Sequence, residues 1–105
     1  WIEDVVRRHA PSADVQVSIS GEAFLTQPGE AVTCLSDAVR QVTGRTPRLD
    51  TGGGTSDARF ISRYCAVAEF GLVGATMHKR DEHVGLETLE DLTRIYLAFM
   101  EGYGL

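Results

Sequence analysis

Cysteine, positive charge and long apolar runs are all scarce in this chain of 105 residues. Cys34 and Cys65 stand far apart and form no CxxC pair, which disfavours a disulfide scaffold and favours reduced, packed thiols. Lysine and arginine together number 10 against 15 acidic residues, and the net charge of -5 argues against nucleic acid or an anionic membrane as a partner. No apolar run approaches the roughly 20 residues that span a bilayer.

Several common functional motifs are also missing. The glycine-rich stretch is not followed by Gly-Lys-Ser/Thr, which disfavours a P-loop, and it lacks the glycine spacing of a dinucleotide site. His78 and His83 are five positions apart, so they do not form an HExxH metal motif. The first residues carry no signal-peptide pattern, and Trp1 in first place leads us to expect that the true start lies upstream. We expect at most one domain, in the cytoplasm.

The most informative stretch is the glycine turn, residues 50–61, with the sequence DTGGGTSDARFI. Glycines allow backbone N–H groups to approach a ligand closely, and Thr55, Ser56 and Asp57 are all residue types that begin helices. A helix N-terminus approached through glycines favours an anion, because free N–H groups and the positive end of the dipole point outward together. The turn therefore predicts a site for a carboxylate, phosphate or oxyanion. The alternative is a tight strand-to-helix turn that binds nothing.

Helices and short strands are predicted to alternate along the chain. The apolar spacing predicts helices over residues 1–10, from about 31 to Gly44, after the glycine turn with Phe60 and Ile61 facing inward, and over residues 86–103. Strands are predicted at residues 15–19, where apolar and polar residues alternate, at 48–50 and at 66–70. This alternation indicates an α/β layer architecture.

A polar loop, residues 76–84, contains His78 and His83 among lysine, arginine and acidic residues. Histidine beside carboxylates is suited to metal binding or to acid/base catalysis. A closed zinc site needs about four ligands, and one suitably placed histidine does not supply them. A solvated or hydrogen-bonded loop histidine is therefore the alternative interpretation of His78.

Four segments in fixed order resemble the succinyl-diaminopimelate desuccinylase family, within the dizinc amidohydrolases that include acetylornithine deacetylase and aminoacylase. They are residues 20–26 (SGEAFLT), 51–61 (TGGGTSDARFI), 69–71 (EFG) and 75–82 (ATMHKRDE). The resemblance covers the whole chain and implies a carboxy-terminal piece of an enzyme more than about three times longer. The implied fold is the C-terminal portion of a zinc-peptidase-like α/β catalytic domain, residues 21–105. Before it, residues 1–20 would form the last helix and strand of an inserted lid and dimerisation domain.

The resemblance also implies a function and roles for individual residues. The longer enzyme would hydrolyse N-succinyl-LL-diaminopimelate to succinate and LL-diaminopimelate with two zinc ions, for which cobalt can substitute. His78 would be a ligand of the second zinc, and the general base and the other ligands would lie upstream of Trp1, so no catalytic residue is expected here and the chain alone would be inactive. The implied substrate-binding residues are Ser20, Gly54, Thr55, Ser56 and Arg59, and the implied turn and cap residues are Gly52, Gly53 and Asp57.

Two departures from the family pattern loosen the claim to one substrate. Gly74 stands where asparagine is common, and His83 stands where cysteine is common. The expected partners are a small molecule with carboxylates and, for the longer enzyme, a second copy in a homodimer. Open strand edges and an uncovered helix face would make the chain alone self-associate. The alternatives are a sibling N-acyl-amino-acid deacylase, similar to acetylornithine deacetylase, and a non-catalytic anion-binding module.

Overall fold

The computed structural model describes residues 1–52, 54 and 56–104. Within these residues the chain forms four helices: α1 (Ile2–His9), α2 (Glu30–Thr43), α3 (Ala58–Ile61) and α4 (Leu86–Tyr103). All four lie where helices were predicted, and those predictions are confirmed. No helix in this part of the chain combines the length and the apolar character needed to cross a bilayer.

Glycines end both long helices. Gly44 follows α2 with a left-handed backbone (φ 70°) and donates its N–H to the carbonyl of Arg40 at 2.9 Å. Gly104 follows α4 in the same conformation (φ 82°) and donates its N–H to the carbonyl of Met100. Because residues without a β-carbon adopt this conformation at little energetic cost, the two glycines fix where the helices stop.

The core lies between α2 and α4. Ala38 and Val39 of α2 are buried against Ile95 of α4. The partly buried side chains packed on these three are Leu35, Val42, Phe70, Ala98 and Phe99. The loop residue Phe70 is held on α4 by Tyr96, whose ring meets it edge to face at 6.4 Å and whose hydroxyl donates to the Phe70 carbonyl. The helix pair and this loop therefore form the frame of the described chain.

The predicted α/β architecture is wrong for this chain, because no strand is present among the described residues. Residues 15–19, 48–50 and 66–70 have no regular secondary structure, and Val17 and Ile19 are 64% and 65% exposed. A strand forms only when a neighbouring segment exchanges backbone hydrogen bonds with it. The side chain of Thr26 donates to the Val67 carbonyl, which ties the segment 66–70 to residues before α2 without forming a ladder.

The described chain exposes much apolar surface. Its accessible area is 8968 Å², whereas a folded monomer of this mass exposes about 5,800 Å². The radius of gyration is 19.2 Å, against about 13 Å for a compact domain of 100 residues. Helix α1 buries none of its residues, and Trp1 and Ile2 are exposed. The contact between α2 and α4 is therefore the main place where the described chain buries apolar side chains.

Candidate functional site

A cavity of about 780 Å³ lies beside the glycine turn. Its walls are residues 21–28, Val32, residues 48–51, Gly54, Ser56, Arg59, Ala68 and Glu69. Phe24, Leu25 and Leu49 give it apolar walls. Charges of both signs also line it: the acids Glu22, Asp50 and Glu69 and the bases Arg48 and Arg59. Three of the predicted substrate-binding residues, Gly54, Ser56 and Arg59, thus come together at one cavity. The predicted Gly53 and Thr55 lie outside the described residues.

Asp50 organises the entry to the glycine turn. One oxygen of its carboxylate accepts the N–H of Gly52 at 3.0 Å, and the other accepts Nε of Arg48 at 3.1 Å as well as a second guanidinium nitrogen. These contacts lower the pKa of Asp50 below its usual value of 3.8; the Gly52 hydrogen bond is the largest cause, followed by the Arg48 hydrogen bond and charge. The charged side chain of Asp50 thus holds the backbone at Gly52, to which the resemblance gives a turn role.

Ser56 and Asp57 begin the short helix α3 in different ways. The Ser56 hydroxyl oxygen accepts the N–H of Ala58 at 3.1 Å, which leaves its own hydrogen free to donate elsewhere. Asp57 occupies the N-cap position and its carbonyl accepts the N–H of Phe60 at 2.9 Å, but its side chain makes no cap hydrogen bond. Because α3 has only four residues, its dipole is small.

The expectation that Phe60 and Ile61 face inward is wrong, because both side chains are exposed. Ala58 is the buried residue of α3, since a single helical turn presents only a narrow face to its neighbours.

Arg59 lies against its neighbours with little polar contact. Its Nε atom is buried and has no hydrogen-bond partner among the described residues, and its Cζ atom lies 4.8 Å from the centre of the Phe60 ring. Gly21 lies directly against the stem of the arginine. Because the guanidinium is always charged, Arg59 places a permanent positive charge at the cavity wall.

The loop that carries His78 is folded tightly by its own hydrogen bonds. The Thr76 hydroxyl donates to the carbonyl of His83 at 2.6 Å and accepts its N–H at 3.1 Å, and Lys79 Nζ donates to the carbonyl of Ala75 at 2.7 Å. His78 and Asp81 both have left-handed backbones, with φ of 61° and 59°. Such conformations are uncommon for residues with a β-carbon, so the surrounding bonds impose them.

His78 and Ser20 are not among the residues that line the cavity. The His78 side chain is exposed, and the described residues contain no cluster of three or more His, Cys, Asp or Glu side chains. A zinc site takes about four ligands. The described residues therefore do not make a zinc site by themselves, and His78 could supply one ligand at most.

Sequence reasoning missed four charged cavity residues: Glu22, Arg48, Asp50 and Glu69. Arg48 and Asp50 did carry a signal, because two opposite charges two positions apart directly before a glycine turn can brace it. Glu22 and Glu69 lie in two of the segments that carry the resemblance, 20–26 and 69–71, but nothing in their local spacing showed that these distant parts of the chain meet at the cavity.

Comparison with known proteins gives a family and close relatives. The model of peptidase family M20/M25/M40 matches residues 5–102. A succinyl-diaminopimelate desuccinylase of Gluconobacter oxydans (strain 621H) is 91% identical over all 105 residues, which correspond to 28% of that protein. Enzymes of the same name from Gluconacetobacter diazotrophicus and Acidiphilium cryptum are 64% and 62% identical, over 96% and 91% of this chain and 26% of each relative. The chain thus spans little more than a quarter of the length of these relatives.

Proposed function

The chain belongs to peptidase family M20/M25/M40, and from this premise we propose that it forms part of an amidohydrolase that cleaves N-succinyl-LL-diaminopimelate. The observation that carries the proposal is the 91% identity to a succinyl-diaminopimelate desuccinylase over every residue of the chain. Because that relative is several times longer, the activity belongs to a longer protein. We also propose the division into residues 1–20, from a lid and dimerisation domain, and residues 21–105, from the catalytic domain, with a homodimer in the cytoplasm as the working form.

The reaction is hydrolysis of an amide. A water oxygen bonds to the succinyl carbonyl carbon, the carbon–nitrogen bond breaks, and the nitrogen leaves with a proton as the amine of LL-diaminopimelate. The substrate carries several carboxylates and a free ammonium group on a chain of methylenes. It therefore needs a site with both signs of charge and apolar walls.

The cavity offers groups of this kind. We propose that Arg59 and the free hydroxyl hydrogen of Ser56 bind a substrate carboxylate, together with the backbone N–H of Gly54. Charged donors make stronger hydrogen bonds to a carboxylate than neutral donors do, so Arg59 should contribute most. Ser20 and Thr55 keep the substrate-binding roles that the resemblance implies.

The metal assignment is a separate part of the proposal. We propose His78 as one ligand in a site of two zinc ions, with cobalt as a substitute. The described residues form no cluster of three or more possible metal ligands, so we propose that the remaining ligands and the general base come from other parts of the longer protein. We assign no metal-dependent step to this chain.

The test is a chimera in which this chain replaces the matching segment of the Gluconobacter oxydans relative. We expect the chimera to hydrolyse succinyl-diaminopimelate and to hold about two zinc ions, whereas the chain alone does neither. His78→Ala should lower the zinc content and the activity, and His9→Ala, an exposed histidine of α1, should leave both unchanged.

An inactive chimera that is folded would refute the proposed function. Preference for acetylated over succinylated substrates would instead point to a sibling deacylase. Equal zinc contents in the two histidine variants would refute the metal role of His78 but would leave the proposed activity standing.

A further inference from the structure

We propose that Gly21 is a positioning residue for Arg59, because the absence of a side chain at position 21 lets the arginine stem lie against the backbone beside the cavity. A β-carbon placed on Gly21 would lie 2.8 Å from both Cδ and Nε of Arg59 and 3.3 Å from an edge carbon of Phe60. Carbon atoms in contact prefer separations of about 3.5–4.0 Å. Any side chain at position 21 therefore displaces Arg59.

Glycine is needed at position 21 because Arg59 occupies the space that a side chain would fill. The backbone conformation at position 21 does not require glycine. Among the described glycines, left-handed backbones occur at Gly44 and Gly104, and Gly21 has an ordinary one. Alanine at position 21 thus meets no backbone penalty of the left-handed kind. The substitution Gly21→Ala therefore tests side-chain contact, first with Arg59 and to a smaller extent with the edge of Phe60.

Arg59 depends on this packing because hydrogen bonds do little to hold its stem. Its buried Nε has no hydrogen-bond partner in the part of the chain that the structure describes, and its guanidinium carbon lies 4.8 Å from the centre of the exposed Phe60 ring. Stacking on a ring at the surface contributes only about 0.5–1 kcal/mol. The backbone of Gly21 also lies against the stem, and both Gly21 and Arg59 line the cavity. Gly21 therefore fixes where the positive charge lies on the cavity wall.

The first experiment measures the position of Arg59 without any reaction. The exchange of its Nε–H with solvent is followed by nuclear magnetic resonance in this chain and in the variants Gly21→Ala and Gly71→Ala. Gly71 is the matched control, because a β-carbon there would meet no atom within 4 Å and its backbone is not left-handed. We expect Gly21→Ala to speed the exchange of the Arg59 Nε–H at least tenfold and Gly71→Ala to leave it unchanged. Unchanged exchange in Gly21→Ala overturns the proposal.

The second experiment uses the chimera and rests on the proposed function. Arg59→Ala should raise KM by about tenfold or more, because hydrogen bonds to charged groups contribute this much, and Gly21→Ala should raise it by a smaller factor with little change in kcat. In the double variant, Gly21→Ala should add nothing to the effect of Arg59→Ala, because it acts through that side chain.

The outcomes separate the two proposals. If KM rises in Arg59→Ala but not in Gly21→Ala, the positioning role is refuted and the binding role of Arg59 stands. If the two effects multiply in the double variant, Gly21 acts by another route and the proposal is overturned. If neither substitution changes KM, the binding role of Arg59 fails, and the exchange measurement alone decides whether Gly21 positions the side chain. Thermal unfolding of each variant shows whether a change reflects lost folding.

Discussion

Replacing Ile95 by alanine tests whether the contact between α2 and α4 is the core of this chain. Ile95 is 3% exposed and packs against Ala38 and Val39. Truncating a buried isoleucine to alanine costs about 2–5 kcal/mol, because the removed groups lose their burial and leave a cavity behind. Small proteins lose roughly 1–3 kcal/mol of stability per molar urea, so the unfolding midpoint should fall by on the order of 1–2 M. Helical circular dichroism against urea concentration measures this midpoint.

The matched control is Leu97→Ala, on the same helix and with a side chain of similar volume. Leu97 is 56% exposed, so the substitution removes little buried surface, and alanine favours the helix slightly. We expect a change of less than about 1 kcal/mol in the free energy of unfolding. Equal losses in the two variants would refute the reasoning, because they would show that burial against α2 does not distinguish these positions.

Two further predictions concern single polar contacts. The pKa of Asp50 should lie below 3.8, so the stabilisation from its contacts is present above that pH and is lost as the pH falls through the lowered pKa. In Arg48→Ala, titration of the carboxyl by nuclear magnetic resonance should show only a partial rise in the pKa, since the Gly52 hydrogen bond, the largest single cause, remains; a complete return to 3.8 contradicts this. Tyr96→Phe removes the hydroxyl that donates to the Phe70 carbonyl but keeps the ring, and urea unfolding should show a loss of about 1 kcal/mol. An unchanged midpoint contradicts that role.

The helices could be predicted from the sequence because their signals are local. The apolar residues on one side of α2 specify a helix, and the glycine at position 44 specifies where it ends. All of these signals lie within a segment of about fifteen residues. The same holds for α4, whose predicted bounds of residues 86–103 agree with the structure. Helical hydrogen bonds join residues four positions apart, so the segment itself contains what is needed to form it.

The strands could not be predicted in the same way because their partners are not local. Alternation at residues 15–19 says which side chains would share a face of a sheet, but not whether another segment lies alongside. In the described chain no segment pairs with it, and Val17 and Ile19 remain exposed. The sequence pattern shows that a segment can form a strand. It does not show which other segment would supply the backbone hydrogen bonds.

The candidate site was predictable where it is contiguous and not where it is assembled. Gly54, Ser56 and Arg59 lie close together in the glycine turn and line the same cavity. Glu22 and Glu69 join them only because distant segments converge there, and no spacing rule detects that. The role of Gly21 is invisible in sequence for the same reason, since it depends on a close contact with a side chain far along the chain.

The left-handed backbone at His78 has a consequence for protein engineering. Any residue with a β-carbon in that conformation costs roughly 1–2 kcal/mol, whereas glycine adopts it freely. A redesign of this loop that scored folding alone would therefore place glycine at position 78 and discard the imidazole. Stability and the ligand role that we propose for His78 make opposite demands on this residue, so a redesign that keeps the proposed metal site should hold position 78 fixed before anything else in the loop is varied.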